Sequence, residues 1–238
     1  MRKRLTFVSC LILFAGIAIA VFPYIRGALM DQNANRTAEE FLSGVITDPY
    51  RESEAVVPAA EPTEKPREHL DLWNAMVAYN DSLYAENQCE MVNGQSLEVP
   101  PFILRDYGFE DEVFGVISVP AIYLGASKAN MAIGAAVMSE TSLPIGTPNS
   151  NSVICGHRGW SGASYFLHIN RIQVGNIVTI TNLWEELRYE VVGIQIIAPN
   201  DLDAIKIQPG KEMITLLSCH PVASGGKQRY LVFCERIN

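Results

Sequence analysis

The chain has 238 residues, of which 48% are hydrophobic, and it carries a formal net charge of −8. This length suits one or two domains and leaves ample apolar material for a packed core. The acidic balance and the lack of a basic patch argue against nucleic acid as a partner. The cysteines show no C-x-x-C spacing, which argues against a disulfide framework or a zinc knuckle. They are Cys10, Cys89, Cys155, Cys219 and Cys234.

The N-terminal region predicts a membrane segment. Three basic residues, Arg2 to Arg4, precede an uncharged apolar run over residues 5–24, which is about the length that a helix needs to cross a bilayer. The basic residues before the run favour an N-terminus inside the cell and a single-pass protein whose bulk lies outside. A cleaved signal peptide is the alternative, because residues 18–20 (Ala-Ile-Ala) resemble a cleavage site. We favour a retained anchor, since apolar residues continue beyond that point.

Residues 1–26 therefore form the predicted anchor, and residues 27–69 combine a helix with a linker. Apolar residues recur at helical spacing over residues 28–45. The helix is expected to end before Asp48-Pro49-Tyr50, because the residue before a proline disfavours helical geometry. The stretch 51–68 is rich in Pro, Glu and Ala, as is typical of a linker.

The remaining chain predicts one more long helix and then many short strands. The helix is expected over residues 67–87, and a shorter one over residues 163–172. Turn residues separate six strand candidates: Phe114–Val119, Ser152–Gly156, Asn176–Thr181, Leu187–Ile197, Met213–Ser218 and Arg229–Arg236. Many short strands of mixed apolar and β-branched residues favour a closed barrel or a sandwich.

Three side chains at strand ends in this β region are the catalytic candidates. Cys219 follows one predicted strand, His157 follows an earlier one, and Arg229 begins the last. If these strands are neighbours, the three side chains meet at one rim. An imidazole can take the proton of a thiol or stabilise its thiolate, and later return a proton to a leaving amine. A guanidinium can donate hydrogen bonds to the oxyanion that forms when a thiolate attacks an amide.

Other interpretations of these cysteines and histidines are weaker. A lone cysteine on a strand is usually a core residue, which suits Cys155 and Cys234 better than Cys219 with its polar neighbours. A cysteine phosphatase needs an arginine six positions after its cysteine, where this chain has Gly225. A zinc site could recruit Cys155, His157, Cys219 and His220, but the separation of Cys155 and His157 by two positions does not match the usual finger motifs.

At these residues the sequence resembles the sortases of Gram-positive bacteria. "TLLSC" (215–219) is similar to the family's TLxTC signature, with serine where threonine is usual. "ICGHRG" (154–159) and "QRYLVFCERI" (228–237) resemble the segments that carry the family's histidine and arginine. "AYNDSL" (78–83) and "TSLPIG" (141–146) resemble the pilin-assembling class C branch.

The resemblance implies a fold and a reaction. The fold is a mostly β, sortase-type closed barrel of about eight strands with short helices, preceded by N-terminal helices and the transmembrane segment. Cys219 would be the nucleophile, His157 the acid and base, and Arg229 the stabiliser of substrate and oxyanion. The enzyme would cut an LPxTG-like sorting signal, form a thioester on the cysteine, and transfer the acyl group to an amine.

Three alternatives for the function stay open at this point. In class C the acceptor amine is a lysine of the next pilin subunit, whereas housekeeping enzymes attach surface proteins to a cell-wall precursor. A non-catalytic binding or assembly module on the same barrel is the alternative of another class. No cofactor and no metal is implied, since no acidic cluster resembles the calcium site of some sortases.

The resemblance also divides the chain and exposes a departure. Residues 70–112 are expected to hold a helix and a candidate lid, and residues 113–238 the catalytic barrel. Class C enzymes often carry an Asp-Pro-aromatic lid motif after the YNxSL helix, and residues 88–109 lack it. Asp48-Pro49-Tyr50 has these letters but precedes the helix, and a helix stop explains it better.

Overall fold

A computed structural model describes most of the chain. The described residues are 2–46, 68–91, 98–117, 120–159, 165–222 and 224–237. Asp48-Pro49-Tyr50 and most of the predicted linker lie outside them. Within these ranges the structure has three α-helices: α1 (Arg2–Ile46), α2 (Leu70–Ala85) and α3 (Lys128–Ile133). The same ranges hold 3₁₀ turns at Leu104–Tyr107, Ile169–Arg171 and Leu202–Ile205.

Eight strands close into one barrel. They are β1 (Val113–Ile117), β2 (Ala121–Leu124), β3 (Ala135–Val137), β4 (Ser150–Cys155), β5 (Ile177–Asn182), β6 (Glu186–Ile197), β7 (Glu212–His220) and β8 (Gln228–Arg236). Their order around the barrel is β1-β2-β3-β4-β7-β8-β6-β5. The expectation of a closed barrel of about eight strands is therefore confirmed. Each of these strands is paired with a neighbour on both sides.

Alternate residues of the strands serve two different cores. One cluster fills the barrel and draws side chains from all eight strands, including Ile154, Leu216 and Val232. A second cluster lies on the outer face of β4, β7 and β8, where Val153 and Leu231 pack beneath the 3₁₀ turn Leu202–Ile205. Because side chains alternate along a strand, each of these strands is buried on both faces over much of its length.

The two long helices pack on the outside of the barrel. Helix α1 contains one stretch, Leu11–Val45, that is long and apolar enough to cross a membrane, with a mean hydropathy of 1.9. Its C-terminal part is buried at Ala34 and Ala38, and Phe41 packs on the outer residues of β1 and β2. The predicted helix over residues 28–45 thus continues the apolar helix without a break.

Helix α2 packs on the barrel with Leu72 and Met76, and its buried Asn80 adds hydrogen bonds. The Asn80 amide nitrogen donates to the Leu143 carbonyl oxygen (3.0 Å) and to the Thr147 hydroxyl (2.9 Å), and its amide oxygen accepts from the Leu143 N–H (2.8 Å). The two motifs that indicated the class C branch therefore contact each other directly.

The structure differs from the predicted elements in both strands and helices. All six predicted strands are present within two residues of their expected ends, but β2, β3 and the short helix α3 were not predicted. The helix expected over residues 163–172 is wrong for the described part, which holds a turn and the 3₁₀ turn Ile169–Arg171. Here the Phe166 N–H donates to the His157 carbonyl oxygen (3.0 Å), and this tertiary contact outweighs the helical spacing.

Candidate active site

Strands β7 and β8 bring two of the predicted residues face to face. They pair antiparallel with Cys219 directly opposite Arg229. Residues opposed in this way point to the same side of the sheet. The arginine Nη1 lies 4.0 Å from the cysteine Sγ. The sheet itself therefore sets a cation beside the thiol.

His157 reaches the same place through the parallel pairing of β4 with β7. The paired register ends with Cys155 opposite Leu217, and extending it by two residues aligns His157 with Cys219. Two bonds carry the link beyond the strand: the Gly156 N–H donates to the Leu217 carbonyl oxygen (3.1 Å), and the Ser218 hydroxyl donates to the Gly156 carbonyl oxygen (2.6 Å). The histidine is thus held at the end of the sheet rather than on a loose loop.

The three side chains line one cavity of about 410 Å³ on the outer face of the barrel. Its floor is formed by β4, β7 and β8, and one wall by the segment from Pro199 to Ile205. Met131 and Met138 add apolar surface, and Glu98 contributes a carboxylate. An apolar groove with a few convergent polar groups is the usual form of a binding site.

The wall of this cavity is held by buried amides. The Asn151 amide nitrogen donates to the Ile205 carbonyl oxygen (2.8 Å), and its oxygen accepts from the Thr215 hydroxyl (2.9 Å). Gln88, at the end of α2, accepts from the Ile207 N–H (2.7 Å) and donates to the Glu140 carbonyl oxygen (2.9 Å). These bonds fix the wall against both the barrel and α2.

Burial sets the protonation of two groups in the cavity. It lowers the pKa of His157, so the imidazole stays neutral to a more acidic pH than usual. Burial raises the pKa of Cys155 to about 12, and that thiol stays protonated at neutral pH. The same cause raises the pKa of Cys234 to about 12. Both thiols match the core role that the sequence predicted for them.

The loop between β7 and β8 holds the arginine in place. Arg229 Nη1 donates to the carbonyl oxygens of Gly226 (2.7 Å) and Gln228 (3.2 Å). Gly226 has a φ of +80°, and a Cβ there would lie 2.8 Å from that Nη1 and 3.5 Å from the sulfur of Cys219. Because Gly226 has no side chain, the loop backbone can lie directly against Arg229 and Cys219.

The structure brings all three predicted residues to one cavity, and it also shows neighbours that the sequence did not indicate. Ser218, Gln88, Asn151 and Glu98 support or line the site. No pattern marks Gln88, Asn151 or Glu98 in advance, whereas Ser218 stands where threonine is usual in the TLxTC-like motif. Among the described residues, no three His, Cys, Asp or Glu side chains gather as a metal site would require.

A closed barrel with a thiol, an imidazole and a guanidinium in one outer groove defines the fold and site type of a cysteine transpeptidase. The sortase domain family matches residues 114–237, which is more than half of the chain. The chain therefore belongs to the sortase family, and it is an enzyme of that type.

Solved structures agree with this assignment. The pilus-related sortase C of Group B Streptococcus is 28% identical, with a TM-score of 0.62 over 74% of this chain and 92% of that one. Sortase C1 of Streptococcus agalactiae is 26% identical, with a TM-score of 0.61 over 74% and 93%. Sortase C-1 of Streptococcus pneumoniae, at 23% identity and a TM-score of 0.64 over 85% and 98%, shows the shared fold. No curated protein sequence matches the chain significantly.

Proposed function

We propose that this sortase cuts an LPxTG-like sorting signal through a thioester on Cys219 and passes the acyl group to a pilin lysine. The observation that carries the proposal is the Cys219–Arg229 pair, with sulfur and guanidinium nitrogen 4.0 Å apart in the cavity that His157 also lines. A substrate peptide in this cavity would meet nucleophile, base and oxyanion donor together.

The reaction then has two halves with balanced proton transfers. His157 takes the proton of the Cys219 thiol, the thiolate attacks the carbonyl carbon of the threonine, and Arg229 stabilises the oxyanion that forms. The threonine–glycine bond breaks, and His157 passes that proton to the leaving amine. A second amine then attacks the thioester and gives up its proton to the imidazole, the Cys219 thiolate leaves as the new amide forms, and the imidazolium returns the proton to it.

A pilin lysine is the favoured acceptor because the class C features are joined in space. Asn80 of the "AYNDSL" motif binds both the backbone N–H and the backbone carbonyl oxygen of Leu143 in the "TSLPIG" motif. The streptococcal sortase at 28% identity is itself described as pilus-related. Attachment of surface proteins to a cell-wall precursor is the second candidate, since the same cavity can serve either amine.

We further propose that residues 113–238 are the catalytic domain and that the chain near Val99 covers part of its groove. The Ser139 hydroxyl donates to the Val99 carbonyl oxygen. A Cβ on Gly125 would lie 2.7 Å from the Pro100 nitrogen, so this chain packs closely on the end of β2. Glu98 then faces the cavity. Residues 5–24 of α1 form the membrane anchor, with the barrel outside the cell.

The test is a two-stage reaction with purified protein. An LPxTG-containing peptide is added alone, and the thioester adduct is sought by intact mass and mapped to Cys219. A lysine-bearing pilin peptide and an amine-terminated cell-wall stem peptide are then offered in competition. We expect a mapped adduct and preferential transfer to lysine. Absence of an adduct on Cys219 contradicts the mechanism, and preference for the stem peptide supports the second candidate.

A further inference from the structure

Each of the three groove residues is followed directly by a residue with a large polar or aromatic side chain. Arg158 follows His157, His220 follows Cys219, and Tyr230 follows Arg229. Adjacent side chains of an extended chain point to opposite faces. His220 in β7 and Tyr230 in β8 therefore turn away from the groove, and Tyr230 belongs to the cluster that fills the barrel. Arg158 lies beyond the end of β4, and its contacts place it with these two side chains.

The three side chains contact one another. Arg158 Nη1 lies 3.2 Å from Nδ1 of His220, and the guanidinium carbon of Arg158 lies 5.5 Å from the ring centroid of Tyr230. The rings of His220 and Tyr230 are 5.8 Å apart between centroids. We call Arg158, His220 and Tyr230 the inner cluster.

Two members of the inner cluster, Arg158 and Tyr230, are buried, and His220 is half-buried. Arg158 is only 7% exposed. A buried guanidinium is costly unless its donors are satisfied. Besides His220, it donates from Nε to the Leu167 carbonyl oxygen (3.3 Å) and stacks on the tyrosine ring, a favourable cation–π arrangement. Moving any one partner leaves a buried charge less well satisfied.

The bond between Arg158 and His220 also defines a proton position. Arginine has donors and no acceptor, so Nδ1 of His220 must accept. This bond therefore requires the tautomer of His220 that carries its proton on Nε2. A side chain with an acceptor at the position of Nδ1 is what this bond requires.

The bond lies where the ordinary ladder between β4 and β7 has ended. The two strands pair up to Cys155 and Leu217, and the last backbone bond runs from Gly156. His157 stands beyond that point. The Arg158–His220 contact continues the link, so that it ties the residue after the histidine to the residue after the cysteine.

We propose that Arg158, His220 and Tyr230 are positioning residues that hold His157, Cys219 and Arg229 in register from the opposite face of the sheet. The cluster acts through the backbone, because each of its members shares a peptide bond with one groove residue. The inference rests on the proposed catalytic roles of those three residues, and it adds the requirement for an acceptor at position 220.

The test compares His220→Leu with His220→Asn. The two side chains have the same branching and the same number of heavy atoms, but only asparagine can place an acceptor near the position of Nδ1. Single-turnover acylation by an LPxTG peptide is measured over a range of peptide concentrations, with thermal melts as a control. We expect a roughly 10- to 100-fold lower maximal rate for the leucine variant, with the half-saturating peptide concentration unchanged, and substantial recovery for asparagine.

A second readout needs no peptide substrate. The rate at which iodoacetamide modifies Cys219, followed on its own tryptic peptide, should fall in His220→Leu and recover in His220→Asn. If the wild type forms no thioester with the peptide, the proposed function fails, and the alkylation rates still decide whether the inner cluster positions the thiol.

Two outcomes would overturn the inference. One is wild-type acylation and alkylation in a folded His220→Leu variant. The other is equal loss in the leucine and asparagine variants, which would show that the acceptor has no role. If His220→Leu does not fold, His220→Phe keeps a ring on Tyr230 without an acceptor and is judged by the same criteria.

Discussion

Gly226 meets Arg229 in two ways at the mouth of the groove. Its carbonyl oxygen accepts a 2.7 Å hydrogen bond from Nη1, and its missing Cβ leaves the room that the guanidinium occupies. The adjacent Gly225 also has a positive φ, of +71°, but a Cβ there would meet nothing within 4 Å. Both glycines therefore have a positive φ that favours glycine, but only Gly226 lies against the arginine.

Alanine at the two glycines should consequently give different activities. Both substitutions place a Cβ at positive φ and should lower stability by about 1–2 kcal/mol. Gly226→Ala should also displace the guanidinium and slow acylation roughly 10- to 100-fold, whereas Gly225→Ala should not. Acylation rates at a temperature where both variants are folded provide the measurement. Equal rates in the two variants would contradict the role given to Gly226.

Arg229→Lys should lower the acylation rate roughly 10²- to 10³-fold, the range typical for loss of one oxyanion donor. Lysine keeps the charge but loses the planar fork that binds the loop carbonyls and faces the thiol together. A surface ion pair is the alternative role for this arginine, and lysine would serve it nearly as well. Near-normal acylation by Arg229→Lys, with an unchanged melting temperature, would therefore remove Arg229 from the catalytic set.

Cys219→Ala should abolish the acyl-enzyme and leave the fold intact, because the cysteine lies half-buried at the end of β7. Cys155→Ala should keep the chemistry and lower the free energy of unfolding by about 1 kcal/mol, since it removes a buried side chain from the outer core. Intact mass after incubation with a sorting peptide, together with thermal melts, separates the two effects. An adduct on Cys219→Ala would refute the nucleophile.

The pH dependence should reflect the burial of His157. Because burial lowers its pKa, a step that needs the neutral imidazole should keep its rate below pH 6.5, the usual histidine value, and fall only at more acidic pH. The unfolded chain binds this proton more readily, so acidification below about pH 6.5 also lowers stability. The profile of kcat/KM for acylation gives the midpoint, with His168→Gln as a matched control. A midpoint above 6.5 would contradict the assignment.

Asn80→Ala should destabilise the protein by about 1–3 kcal/mol, the usual cost of leaving buried backbone groups unsatisfied. The substitution removes three hydrogen bonds, two of them to the peptide groups of Leu143. Asp81→Ala, on the exposed side of the same helix, should change stability little. Denaturant unfolding of both variants tests the difference, and equal stabilities would mean that α2 is held by other contacts.

The sequence predicts the strands that carry the site better than it predicts the rest of the barrel. Strands β4, β7 and β8 are rich in β-branched and apolar residues and are bounded by polar turns. Strands β2 and β3 have four and three residues, several of them alanine, which has little strand propensity. Both are fully buried, so neither shows the alternation that marks a half-exposed strand.

The sequence could predict which residues carry the chemistry, but it could not predict which side chains contact them in the folded protein. Cys219, His157 and Arg229 stand at strand ends in the sequence, but only the parallel pairing of β4 with β7 brings the histidine beside the cysteine. That pairing joins segments about sixty residues apart, and no local pattern encodes it. The opposite orientation of His220 did follow from strand geometry alone, and its contact with Arg158 did not.

The docking of α1 would limit how far the enzyme reaches from the membrane that is proposed to hold residues 5–24. About 12 Å of helix separates Arg26, after the apolar run, from Ala34, the first α1 residue buried against the barrel. With residues 5–24 in the bilayer, the groove would lie at one fixed height above the lipid, because α1 itself packs on the barrel. Encounters would then be confined to a thin layer, and partners that are themselves embedded in the same membrane would meet the enzyme by lateral diffusion.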